Sequence, residues 1–155
     1  MKQLLLTFIL LFTSCSVTNY EHTQTKIIII KSPLIKFADV GYIRNSDDEV
    51  SLELFSAGVR VEEITINHLI CVSDGCMSKG GFNKEYLHNE YPDDTLQDIL
   101  LARPIFDGKA LIKTEDGFEQ KIKTKHIDIT YRVNKRRTFF KDKRNRIILN
   151  IKELL

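Results

Sequence analysis

Strand-like runs separated by connections of only a few residues constrain this chain more than any other feature. Ile127, Ile129, Tyr131 and Val133 alternate with Asp128, Thr130 and Arg132, the period-two pattern of a half-buried strand. Val50, Leu52 and Leu54 repeat it with Ser51 and Glu53. The turn Ala57-Gly58 leads back through Val59 and Val61, and the apolar phase then slips at Glu62-Glu63 before Ile64 and Ile66. A one-residue slip inside a strand marks a β-bulge, which bends a sheet. Residues 27–30 are four isoleucines in a row, read as a strand buried on both faces. Residues 110–113, 118–122, 138–140 and 147–151 read as further strands. Parallel neighbours need crossovers of a dozen residues or more, and these connections are too short for them. The sheet is therefore antiparallel.

Only the middle of the chain changes period. Phe82, Tyr86 and Leu87 fall at helical spacing, with Pro92 as the stop. Asp93-Asp94-Thr95 reads as the cap of a second short helix, on which Leu96, Ile99 and Leu100 share a face before Pro104 stops it. Gly80-Gly81 reads as a linker turn. The order is about five strands, a two-helix insertion, then about five strands. The fold class that follows is mainly β (α+β): a curved antiparallel sheet or incomplete β-barrel, with the insertion covering an apolar cavity.

The N-terminus carries a different message. Met1-Lys2-Gln3, the apolar residues 4–12 and the small Thr13-Ser14 follow the grammar of an export signal. About nine apolar residues are too few to span a bilayer, which takes roughly 20. Phe12-Thr13-Ser14-Cys15 resembles the lipobox of bacterial lipoproteins, which implies removal of residues 1–14 and acylation of Cys15. Ser16 after the cysteine implies the outer membrane, with the body on the periplasmic face. Residues 15–25 are polar and aperiodic and read as the acylated start and a tether. Residues 26–155 are then one domain, a size at which a single core suffices.

Charge is uneven although the net is only +2. Positions 39–98 contain thirteen acidic and four basic residues, and positions 109–155 contain fourteen basic and six acidic. Compensation between neighbouring strands accounts for this, and so does a basic face for an anionic partner. Cys71 and Cys76 flank the turn-forming Val72-Ser73-Asp74-Gly75, as a disulfide across a hairpin requires. Metal binding would need two more ligands, and His68, His88 and His126 lack ligand spacing. No metal and no cofactor is expected. No nucleophile elbow or phosphate-binding loop marks an enzyme, and Asp47-Asp48 and Asp93-Asp94 sit in turn contexts. Nucleic acid is excluded as a partner by the compartment.

Positions 52–67, a strand, an apolar-Gly turn and a return strand, resemble the LolB family of outer-membrane lipoprotein receptors. Positions 91–104 are similar to that family's helix and its Gly-x-Pro-like step, with Ala102 where glycine is usual. Positions 117–133, with Ile129-Thr130-Tyr131, and positions 145–152 resemble its late strands. The resemblance implies a monomer that accepts cargo lipoproteins from a LolA-like periplasmic carrier and helps insert them into outer-membrane lipid. It implies an acyl cavity walled by Leu52, Leu54, Ile64, Ile66, Leu96, Ile99, Leu100, Ile127, Ile129 and Tyr131. It also implies a membrane-inserting loop at Phe55, Ala57 and Val59. The alternative is a structural or assembly lipoprotein of the envelope, for example in lipopolysaccharide export. Its basic face would be Arg132, Lys135, Arg136, Arg137, Lys141, Lys143, Arg144 and Arg146.

Overall fold

The computed structural model describes residues 20–154. The signal segment 1–14 and Cys15 lie outside the described residues. Among the described residues, eleven strands form one antiparallel sheet: β1 (His22–Lys31), β2 (Lys36–Asn45), β3 (Val50–Ser56), β4 (Val59–Ile66), β5 (Ile70–Val72), β6 (Gly75–Met77), β7 (Leu111–Lys113), β8 (Gly117–Lys123), β9 (Asp128–Asn134), β10 (Arg137–Asp142) and β11 (Ile147–Glu153). Their spatial order is β6-β5-β4-β3-β2-β1-β11-β10-β9-β8-β7, so two meanders meet where β1 pairs with β11. The sheet does not close, and β6 and β7 are its edges.

The chain between those edges holds α1 (Lys79–Tyr86), α2 (Thr95–Leu100) and a tight left-handed turn at Phe106–Gly108. Helix α2 touches both β3 and β10. These strands are four places apart, about 19 Å in a flat sheet at roughly 4.8 Å per strand. A helix is only about 10 Å across. The sheet therefore curves around α2, with the core on its concave side.

Local chemistry explains the elements. The Ala57-Gly58 turn has positive φ at both residues, 51° and 80°, the geometry that matches the twist of a two-residue hairpin. The register between β3 and β4 shifts at Leu54/Phe55, leaving Val61 unpaired one residue before the Glu62-Glu63 slip. Glu62 then turns its Oε1 towards the amide of Glu63 and towards Ser73 N–H and Oγ at 3.0, 3.0 and 2.7 Å. Ser78 caps α1 by accepting from Gly81 N–H at 3.0 Å.

Four expectations change. Gly80-Gly81 are not a linker turn but the first turn of α1, where the Ser78 cap offsets their low helix propensity. Asp94 occupies the N-cap of α2 without capping it, because its carboxylate pairs with Lys79 Nζ at 2.5 Å. The isoleucine run is buried on one face, at Ile28 and Ile30, whereas Ile27 and Ile29 are half-buried on the other. The stretch read as a tether contributes His22–Thr25 to β1, because Thr23, Gln24 and Thr25 find ladder partners on β2.

The sheet has two distinct ends. Tyr20 enters at the near end, which carries turns 46–49, 67–69, 114–116 and 135–136. The far end carries turns 32–35, 57–58, 73–74, 124–127 and 143–146.

Candidate functional site

All ten residues nominated for an acyl cavity face the concave side. Leu52 and Leu54 stand on β3, Ile64 and Ile66 on β4, Ile129 and Tyr131 on β9, and Ile127 just ahead of β9. Leu96, Ile99 and Leu100 come down from α2. None is more than 6% exposed, and together they belong to one apolar cluster. They fill the space between sheet and helices, so a guest there requires the insertion to lift.

Sequence reasoning did not nominate Ile28, Ile43, Ile70, Phe82, Ile105, Ile122, Phe140 or Ile147, which belong to the same cluster. The strand alternation that selected Ile129 was also present at Ile147, Leu149 and Ile151, so part of this set was within reach. Ile105 carries no periodic signal, because it lies in the connector after α2.

The insertion is fastened at discrete polar points. Gln120, fully buried on β8, accepts from Ile105 N–H at 2.9 Å and donates to the carbonyls of Ile105 and Lys109 at 2.9 and 2.8 Å. Tyr131 donates its hydroxyl to the Arg103 carbonyl at 2.9 Å. Asn83 of α1 donates to the carbonyls of Tyr91 and Pro92 at 3.2 and 2.9 Å. Tyr91, between the helices, donates to Asp142 Oδ2 at 2.7 Å. Burial pushes the Tyr91 and Tyr131 hydroxyls far above their ordinary pKa, so both stay protonated as donors.

Past α2 the backbone is strained. Ala102, Phe106, Asp107 and Ala110 all hold φ between 50° and 54°, a region costly for residues with a Cβ. A pocket of about 380 Å³ opens beside this connector at the near end. Its floor includes Ile43, Leu100 and Ile151, and its rim includes Lys26, Arg103 and Arg136. Lys26 is held there by an ion pair with Glu153. Of the ten nominated residues, Leu100 borders this pocket.

The three loop candidates part company. Phe55 is half-buried on the outer face, its ring edge-on to Tyr42 at 5.2 Å between centroids. Ala57 forms the turn itself. Val59 is 65% exposed and is the one that projects a free aliphatic side chain.

Cys71 and Cys76 lie directly opposite each other on β5 and β6 and form a disulfide. It clips the hairpin at the edge of the sheet. Lys135, Arg136 and Arg137 lie at or beside the near end, and Lys143, Arg144 and Arg146 form the turn between β10 and β11 at the far end. The basic C-terminal segment is thus not one patch. The chain matches no protein family, no curated protein and no solved structure.

Proposed function

We propose that this protein is a tethered envelope lipoprotein, anchored through acylated Cys15 at the periplasmic face of the outer membrane, that holds the acyl chains of other lipoproteins between its sheet and its helical insertion. In this reading it acts as a LolB-like receptor, taking cargo from a LolA-like carrier and releasing it into the membrane. The observation that carries the reading is the construction of the insertion. Two short helices lie over a continuous aliphatic surface in an open-sided sheet, fastened by a few hydrogen bonds and ending beside a pocket.

The chemistry is physical transfer. Each square ångström of acyl surface removed from water returns about 25 cal/mol, so a guest can offset the lost contacts of displaced helices without nucleotide hydrolysis. Val59, projecting beside the Ala57-Gly58 turn, is the aliphatic tip offered to the bilayer.

The test mixes a lipoprotein-loaded carrier with this protein lacking its own lipid and measures transfer. Direct titration with a fluorescent fatty acid runs in parallel. Saturable uptake and transfer are expected; failure of both removes the proposal. A structural or assembly role is then the reading left, and the membership of the ten wall residues in one buried cluster is compatible with it.

A further inference from the structure

The far end of the sheet collects positive charge from hairpins widely separated in sequence. Lys31 and Lys36 flank the β1–β2 turn, Lys123 and Lys125 stand at the β8–β9 turn, and Lys143, Arg144 and Arg146 form the β10–β11 turn. In the strand order these three turns are consecutive, β2-β1, β11-β10 and β9-β8. Six strands at about 4.8 Å spacing place all seven cations within roughly 24 Å. Every one is exposed, and none belongs to an ion pair among the described residues.

The acidic groups nearby do not neutralise this row. Asp142 is fully buried and saturated with hydrogen bonds. Asp128 lies opposite Lys123, and Asp39 stands exposed on β2 three residues in from Lys36 and accepts from Val40 N–H. Glu90 is against His126, and Asp74 sits at the remote β5–β6 corner, so seven cations face two exposed or half-exposed carboxylates. The near end is mixed instead, with Glu21, Asp47, Asp48, Glu49, Glu115 and Asp116 alongside Arg103, Lys135, Arg136 and Arg137. Apolar surface accompanies the cations. Leu34 is 61% exposed at the tip of the β1–β2 turn, and a shallow depression between Lys31 and Lys36 is lined by Ile29, Ile30, Phe37 and Ala38.

We propose that this far end docks on an anionic phospholipid surface, with the seven cations over lipid phosphates and Leu34 dipping into the interface. Unpaired cations around an exposed aliphatic tip match a bilayer surface in both charge and polarity profile. The docking deepens the receptor reading by naming the surface on which it would operate. It does not depend on that reading, since acyl uptake can fail while vesicle binding persists. An anchor at Cys15, five residues before Tyr20, reaches at most about 18 Å. Strand β1 is about 33 Å long. A body both tethered and docked on one membrane therefore lies along it rather than standing upright.

The experiment is flotation of the full chain carrying Cys15→Ser with phosphatidylglycerol-containing vesicles and with pure phosphatidylcholine vesicles. Every variant keeps the same N-terminus, so its apolar run contributes equally throughout. Binding is expected on the anionic vesicles, weakening as salt shortens the Debye length from about 10 Å at 0.1 M to about 3 Å at 1 M. Neutralising Lys143, Arg144 and Arg146 together to Gln should cost about 100-fold in partition, roughly fivefold per cation. Lys31→Gln with Lys36→Gln is the second variant should the triple change misfold, and Leu34→Ser should weaken binding with all charges intact. Lys135→Gln with Arg136→Gln, at the near end, should change nothing. Equal binding to both vesicle types, or a near-end pair as costly as the far-end triple, overturns the proposal.

Discussion

The hydroxyl of Tyr91 lies 2.7 Å from Asp142 Oδ2, joining the segment between the two helices to the end of β10 across 51 residues of chain. Asp142 is fully buried and accepts four further hydrogen bonds, from the amides of Asp128, Arg144 and Asn145 and from Asn145 Nδ2. One carboxylate thus fixes the β10–β11 turn and holds the insertion down. Tyr91→Phe removes the link and leaves the carboxylate one donor short. A hydrogen bond to a charged group is worth about 1.5–3 kcal/mol, and a loss of that order should appear in urea unfolding. Amide exchange in α2 should rise more than in β1 or β11. Uniform acceleration across the sheet would show that Tyr91 is not a local fastening.

The same carboxylate sets an acid limit. Burial by itself would raise the Asp142 pKa, but the hydrogen bonds from Asn145, Tyr91 and the backbone amides outweigh it, and the net direction is down. A depressed folded-state pKa gives stability that is present above the unfolded value, about 3.9, and is lost as pH falls through the folded one. Tyr20, Tyr91 and Tyr131 work the opposite way. Burial heads the causes for each and raises all three, Tyr20 to about 12. Their contribution is intact below about pH 10 and fades as pH climbs beyond it. Denaturant midpoints against pH should form a plateau that falls below about pH 4 and above about pH 10. Asp142→Asn should lower the plateau and flatten its acid edge.

Ala102 ends α2 with φ at 54°. A left-handed residue with a Cβ carries about 1–2 kcal/mol of strain, part of which glycine returns as extra unfolded-state entropy. Ala102→Gly should therefore stabilise the protein by about 1 kcal/mol, a rise in melting temperature of a few degrees. A fall would mean that the Ala102 methyl packs usefully.

The Cys71–Cys76 bridge closes a loop of sequence separation 5 at the sheet edge. Loop-closure entropy for so short a loop is about 2 kcal/mol, an upper figure because the hairpin already brings its ends together. Replacing both cysteines by serine should lower stability by no more than that. Loss of the whole fold would assign the bridge a larger role than an edge clip.

Phe55 and Val59 separate packing from projection. Phe55→Glu breaks the edge-on contact with Tyr42 and should cost about 0.5–1.5 kcal/mol beyond lost area. Val59→Glu changes a side chain that is 65% exposed and should leave stability within about 0.5 kcal/mol. Lipoprotein delivery should suffer from the Val59 change at unaltered stability. Normal delivery by that variant removes Val59 as the membrane tip.

Local pattern alone determined much of this molecule. Alternation in β3 and β9, the Ala57-Gly58 turn, the bulge beside Glu62 and the cysteine hairpin are set by neighbours within a few residues, where side-chain period and turn stereochemistry act directly. The order of sheet, insertion and sheet was legible for the same reason. Tertiary structure alone decided that β1 pairs with β11, since nothing local to the isoleucine run points to the chain's other end. It also decided that β1 starts at His22, because a polar stretch becomes a strand when a ladder partner is offered. The Tyr91–Asp142 fastening and the row of far-end cations have the same origin. Both join residues that are remote along the chain, the first once the insertion packs on the sheet and the second once β1 pairs with β11. Burial and electric field depend on distance in space, which sequence spacing does not encode.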